Sequence, residues 1–346
     1  MSRAQLTSTV EQNTGGAVSP YVAGKNKIIN GDFGVWQRGT SVAIAAGTRV
    51  YAPDRWWFYQ STGTATVSQQ SPGITGVRYS ARYQRNAGQT ATAAMYMQQS
   101  IETSMAIPCA GKTMTISFYA KCGANYSSGS NSLSIQIAQG TGTDESGFGG
   151  YTGNSFALST SVTLTTSFQF FTVTFSLSSA ATEFQPLFIY YPTGTAGAND
   201  WFEIANIQIE AGSVATAFTT ATGTLSGELG ACQRYYWQTA WNTSGATTIM
   251  VSGIGIGSTQ VAQAYCAHPV TMRAIPSAAL NGTSNMVFYN GAGGGTTFAI
   301  SAIASQNSST IAGTLSITTS GTTANVVYNL LALTAGNGYI SFSAEL

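Results

Sequence analysis

Short runs in which apolar residues fall two apart recur from Lys25 to about Phe218: Met114, Ile116 and Phe118; Leu133, Ile135 and Ile137; Val173, Phe175 and Leu177. Residues two apart share one face of a strand, so each run predicts a half-buried β-strand. Clusters of Gly, Ser, Asn and Thr separate the runs, as at 123–131 and 140–154. Many short strands divided by turn signals predict an all-β sandwich rather than an α/β fold. In the closing run, Trp201 to Glu210, Phe202 and Ile204 fall on one phase and Ile207 and Ile209 on the other. A phase change of one residue predicts a β-bulge near Ala205 and Asn206. Past 238 the alternation returns at Phe298, Ile300 and Ala302 and at Ile340, Phe342 and Ala344, which predicts a second β-rich domain. Between the two, 227–237 reads as one short helix or bridging element ending in three aromatics.

The densest group of aromatics and charges lies between Lys27 and Tyr59. Ile28 and Ile29 lead into Asn30-Gly31-Asp32, the signature of a strand entering a tight turn. Phe33, Trp36, Trp56 and Phe58 are expected to anchor the core, with Asp54 and Arg55 held by hydrogen bonds at a strand start. Alternation puts Trp57 and Tyr59 on the face opposite Trp56 and Phe58, which makes them candidates for stacking on a sugar ring. Alternation alone does not say which face is wet.

Composition changes the picture mainly by what it removes. The 346 residues suffice for two or three β domains, and only 7% are charged, against about a quarter in ordinary globular proteins. A net charge of +1 supplies no basic field, so neither nucleic acid nor an anionic membrane is an expected partner. Apolar content of 43% argues against disorder. The first 24 residues are polar, with Gly15-Gly16 and Pro20 interrupting any regular element, and read as a flexible arm rather than a signal peptide. No apolar run reaches the roughly 18 residues needed to span a bilayer, so a chain made in a cytoplasm and not inserted in a membrane is expected. Cys109, Cys122, Cys232 and Cys266 show no metal or disulfide spacing and are expected to be buried thiols.

Catalytic patterns are thin. His268 is the sole histidine and lies two residues after Cys266 with no nucleophile-elbow motif. Glycosidase chemistry requires two facing carboxylates, for which Asp144 with Glu145 and Asp200 with Glu203 are the available pairs. Gly253-Ile254-Gly255-Ile256-Gly257 lacks the spacing and the following helix of a dinucleotide loop. The expected protein is not an enzyme.

Four segments in order, IINGDFGVWQRGTS, APDRWWF, IANIQIEAGSVATAF and GACQRYYW, resemble a module of bacteriophage virion proteins, above all tail-fibre and host-attachment proteins. Its opening and closing strands are similar to those of carbohydrate-binding jelly rolls. The resemblance covers about two thirds of the chain and implies a jelly-roll β-sandwich on a phage particle, commonly as a homotrimer. It implies a particle-docking arm over 1–24, the jelly roll over 25–220, a linking element over 221–237 and a tip domain over 238–346. Partners would be other virion proteins and a host surface polysaccharide, and the location would be the virion. The rivals are a capsid decoration or head-fibre protein bound to the shell, and a polysaccharide depolymerase. Carbohydrate-binding jelly rolls often hold a structural calcium between first and last strands, which here would fall to Asp32 and Asn206. Gly34 stands where that family has an acid and Asn206 replaces a carboxylate, so the hard oxygen donors are few and no cofactor is expected. Fibre tips present binding loops, and Tyr289 with Asn290, beside a glycine run, are the candidate sugar contacts there. The loops 281–285 and 306–309 are further candidates.

Overall fold

The computed structural model describes residues 23–239, 248–281, 286–289, 297–306, 309–332 and 339–346. The N-terminal arm, apart from its last two residues, and Asn290 lie outside them. The chain divides into two compact units, residues 1–229 with Leu346, and residues 230–345. Among the described residues no helix is long and apolar enough to cross a membrane.

The first unit is all β. Its strands are β1 (Ser41–Ile44), β2 (Val50–Tyr51), β3 (Trp57–Gln60), β4 (Ala65–Gln70), β5 (Ser80–Arg85) and β6 (Met95–Gln98), followed by β7 (Thr113–Cys122), β8 (Ser132–Gly140), β9 (Ser155–Thr163), β10 (Gln169–Ser176), β11 (Glu183–Tyr190) and β12 (Trp201–Ala211). They form two antiparallel six-stranded sheets, ordered β1-β4-β5-β12-β7-β10 and β2-β3-β6-β11-β8-β9. The inward-facing positions interlock in one core, where Phe33, Trp56, Phe58, Phe118, Phe188 and Phe202 are fully buried. Phe58 meets Tyr83 edge-on at 5.0 Å, and Phe118 meets Phe188 edge-on at 5.1 Å. Burial of each such ring stabilises the sandwich by roughly 1.5–3 kcal/mol.

The opening motif is a turn rather than a strand entering one. Residues 29–32 form turns, and the segment is tied to β12 by two backbone bonds, Lys27 N–H to Ile209 O and Ile207 N–H to Gly31 O. Gly31 is required there, since a Cβ on it would stand 2.1 Å from the Ile207 carbonyl oxygen. Asn30, at φ 57°, holds the turn through its side chain: its Oδ1 accepts from Val35 N at 2.9 Å, and its Nδ2 donates to the carbonyls of Val35 and Asp54. Asp54 accepts from Gln37 N at 2.7 Å and pairs with Arg38 at 3.2 Å, and Arg55 donates to Ser100 O at 2.7 Å.

Two irregularities shape the sheets. In β12 the register against β7 shifts between Ala205 and Gln208, with Asn206 at φ 49°, which is the bulge that the change of phase predicts. In the other sheet Pro186 sits inside the central strand β11, where a missing N–H ordinarily breaks a ladder. The ladder to β6 runs only from Leu187 to Tyr190 and resumes as a single bridge between Phe184 and Ile101, so Pro186 occupies a gap.

The unit boundary falls within the helix Leu225–Gln233, which overlaps the first part of the 227–237 stretch read from sequence as a helix or bridging element. In the second unit, β13 (Tyr236–Gln238), β21 (Tyr339–Ser343) and β16 (Ser277–Asn281) form a three-stranded sheet. The strands β14 (Thr248–Gly255), β15 (Gln260–Ala267), β17 (Met286–Tyr289), β18 (Thr297–Gln306), β19 (Ala312–Thr319) and β20 (Val327–Ala332) close a barrel in the order β14-β15-β19-β18-β17-β20. Tyr236 and Trp237 differ from their sequence-based place in a linker: pairing with Ser343 and Phe342 makes them part of the second unit's sheet. Trp237 stacks on Phe342 at 4.8 Å and donates its indole N–H to His268 Nδ1 at 3.1 Å.

Candidate functional site

The outer face of the β2-β3-β6-β11-β8-β9 sheet gathers the aromatic residues that the core leaves out. Alternation sends Phe58, Met95 and Met97 inward and turns Trp57, Tyr59, Tyr96 and Gln98 outward. Register then sets them in two rows across the strands: Trp57, Gln98 and Leu187 in one, and Tyr59, Tyr96 and Ile189 in the other. Phe148 arrives from a single 3-10 turn, Gly147–Gly149, in the β8–β9 loop. Its ring stands edge-on to Tyr59 at 5.0 Å and to Trp57 at 5.4 Å. These side chains line a cavity of about 360 Å³. The Arg49 guanidinium lies 5.3 Å from the Phe148 ring and donates to Ser146 Oγ at 2.7 Å.

Side chains beside the Pro186 gap hold this loop: Gln185, itself paired with Ala138 of β8, donates its Nε2 to Gly147 O at 3.1 Å, and Ser100 Oγ accepts from Gly147 N at 3.3 Å while donating to Gln185 Oε1 at 3.2 Å. Asp144 accepts from Thr103 N at 2.9 Å, and Glu145 accepts from Thr152 N and Oγ1 at 2.7 and 2.6 Å. The two Thr152 bonds, side chain first, hold the Glu145 carboxyl below its usual range. The Glu145 amide donates to the buried Glu183, whose carboxyl is pushed up, chiefly by burial. Asp144 and Glu145 are therefore loop fasteners, not a facing catalytic pair.

Two residues of the lining carry polar atoms that remain unbonded. Trp57 Nε1 and Gln98 Oε1 are buried without a partner, one a donor and the other an acceptor. The half-buried Tyr59 and Tyr96 have no side-chain hydrogen bond among the described residues. Burial and the neighbouring Tyr191 and Tyr59 push the Tyr96 hydroxyl up, so it stays a neutral donor and acceptor. A sugar combines apolar C–H faces with hydroxyls that donate and accept, and it matches this mixture of rings and neutral polar atoms.

Trp57 is only 1% exposed, so it is no open platform; Phe148, 47% exposed, lies against it, and the accessible rings are Phe148, Tyr59 and Tyr96. Tyr96, Gln98 and Phe148 were missed from sequence, although Tyr96 between two core methionines and a lone Phe in a glycine-rich loop are readable signs. Tyr289 ends β17, and its proposed companion Asn290 is not among the described residues. Asp32 Oδ1 accepts from Gly34 N at 3.3 Å, and burial raises its carboxyl. Asn206 lines a groove on the opposite sheet. Among the described residues no group of three or more His, Cys, Asp or Glu could hold a metal ion. Asp200 is buried in an ion pair with Arg85 at 2.7 Å, and Glu203 pairs with Arg82 at 2.9 Å and accepts from Ser80 Oγ at 2.6 Å.

No family model matches the chain, and no curated protein matches it. Among solved structures the chain is similar to a protein described under "CBM4 structure and function", at TM-score 0.32 and 20% identity over 53% of this chain and 98% of the other. It is similar to TmCBM61 in complex with beta-1,4-galactotriose, at TM-score 0.32 and 12% identity over 54% of this chain and 99% of the other. It is also similar to the enzymatically active domain of tailspike protein 4 of bacteriophage CBA120, at TM-score 0.33 and 16% identity over 56% of this chain and 22% of the other. At these identities and scores the overlap assigns neither a family nor a ligand.

Proposed function

We propose that the protein is a non-enzymatic glycan-binding protein of a bacteriophage particle, a tail fibre or adhesin that holds a host surface polysaccharide. The observation that carries glycan binding is the cavity under Phe148, where Tyr59, Tyr96 and Phe148 offer accessible rings and the Tyr59 and Tyr96 hydroxyls bond to no described residue. The virion setting and the homotrimer rest on the four sequence segments that resemble phage attachment proteins. Weak sites repeated around a trimer would act through effective concentration rather than through individual strength. The engagement of Asp144, Glu145, Asp200 and Glu203 in ion pairs and loop bonds speaks against depolymerase chemistry.

The test is titration of the full chain with neutral oligosaccharides, alongside binding to intact host cells before and after their surface polysaccharide is stripped. Tyr59→Ala and Tyr96→Ala, both on the outer face, are each expected to weaken sugar binding about tenfold. Cell binding is expected to vanish on stripping. Unchanged sugar binding in both variants would remove this cavity as the site, and unchanged binding to stripped cells would remove the glycan as receptor.

A further inference from the structure

The opposite sheet carries a second groove, and we propose that it is an independent binding site for a neutral sugar. It needs nothing from the cavity under Phe148, which belongs to the other sheet. The groove has a volume of about 390 Å³, within the ordinary range for small-ligand sites. One wall is the cross-strand pair of Tyr119 on β7 and Phe170 on β10, whose centroids are 5.0 Å apart with planes tilted by 53°. Phe170 is 50% exposed, an unusual position for a phenylalanine on a strand facing solvent. Val77 and Phe218 add apolar surface to the lining.

The groove contains two polar side chains with nothing to bond. Asn206 is 9% exposed and Ser117 is 3% exposed, and neither side chain has a hydrogen-bond partner among the described residues. Their polar atoms are open to the groove rather than sealed in the interior, so a ligand there can bond them in place of water. The bulge in β12 explains how Asn206 comes to be there. Ala205 pairs with Tyr119 and Gln208 with Ser117, so Asn206 and Ile207 together span a step that β7 covers with Phe118 alone. Ile207 goes into the core and gives its N–H to Gly31 O at 2.9 Å, while Asn206 takes φ 49° and lines the groove. Asn is among the few residues that adopt this backbone readily, and it also supplies a free amide.

The chemistry of the lining selects the ligand class. No charged side chain lines the groove, and Lys25 and Glu210, which both bond the lining Thr216, pair with each other at 4.0 Å, so a charged ligand finds no free counter-charge. A wholly apolar ligand would cover Asn206 and Ser117 and leave them unpaired. A neutral polyhydroxylated ring satisfies both, with its C–H face on Tyr119 and Phe170 and its hydroxyls on the amide and the serine. A chain with one site on each sheet can hold two glycan strands, or hold one surface with two contacts.

The test uses the full chain carrying both Tyr59→Ala and Tyr96→Ala, titrated with mono- to tetrasaccharides of neutral hexoses and pentoses and, separately, with uronic-acid oligomers. A neutral sugar is expected to bind this background, with affinity falling about tenfold on adding Phe170→Ala or Asn206→Gly. Glycine keeps the left-handed backbone while deleting the amide, and Phe170 is half exposed, so both variants are expected to melt with their parent. The proposal is overturned if no neutral sugar binds the background, if only the acidic oligomers bind, or if binding is unaffected by both added substitutions. In the first of those outcomes, sugar binding that is present in the unmodified chain would still support the cavity under Phe148.

Discussion

Gly147 decides where Phe148 sits. A Cβ on residue 147 would stand 2.1 Å from Gln185 Oε1 and 2.2 Å from its Cδ, and Gln185 is itself buried and bonded to Ser100 and to the loop. Gly147→Ala must therefore push the turn outward, at a cost of about 1–3 kcal/mol as for other overpacked sites. The expected result is a lowered melting temperature together with about a tenfold loss of sugar affinity; normal affinity in the destabilised variant would show that Phe148 takes no part in binding. Asp32 raises a different question, because its carboxylate is spent on the Gly34 amide of its own turn. Adding a chelator is expected to shift the melting temperature by less than about 1 °C, whereas a fall of several degrees would reveal a bound cation. At this scale the sequence was informative wherever strand period alone decides direction, as for Trp56 and Phe58 against Trp57 and Tyr59. The near-complete burial of Trp57 was not readable, because the ring against it comes from the β8–β9 loop, which only sheet order brings near.

Among elements, β12 shows what a sequence pattern carries and β11 what it hides. The change of apolar phase at Ala205 and Asn206 is a count along one strand, so the bulge was legible before any partner strand was known. Pro186 was not, because its meaning depends on a break in pairing with β6 that a single strand does not reveal. The three-stranded sheet of the second unit gives a pH prediction. His268 accepts the Trp237 indole N–H through Nδ1 and packs edge-on against Phe342 at 5.0 Å. Burial pulls its pKa below the ordinary 6.5, opposed in part by the Ser309 backbone. With the folded value depressed, the neutral ring stabilises the fold above the unfolded pKa, and this contribution is lost as pH falls from 6.5 through the folded value. In the first unit Glu183 and Glu228 are raised, chiefly by burial, so their sign is opposite and acidification favours their folded forms. Melting followed between about pH 7.5 and pH 5 is expected to show the second unit losing stability. His268→Gln is expected to remove that slope while leaving the first unit unchanged. A slope that persists in His268→Gln would assign the acid sensitivity to another group.

For the whole molecule, the distribution of charge bears on assembly more than on fold. From residue 230 to 345 the charged side chains are Arg234, Arg273 and Glu345 alone, while Ile256, Tyr265, Ile275 and Val327 of that unit are each more than half exposed. A nearly uncharged unit with exposed apolar side chains offers little electrostatic resistance to self-association. A closed symmetric oligomer removes such a surface from water without leading to open-ended aggregation. The alternating pattern past residue 238 announced strands but not a barrel, because closure depends on register between strands far apart in sequence. The homotrimer proposed above gives a definite expectation: sedimentation equilibrium of the full chain should return three times the 36.0 kDa of one chain, independent of dilution over the micromolar range. If three chains present their glycan sites together, binding to a dense polysaccharide surface should exceed binding to the same free oligosaccharide by about 10²–10⁴. A monomeric mass, with equal affinity for surface and free sugar, would overturn multivalent adsorption even if each site binds sugar. A trimer that shows no such gain would instead mean that the three copies of the site cannot engage one surface at once.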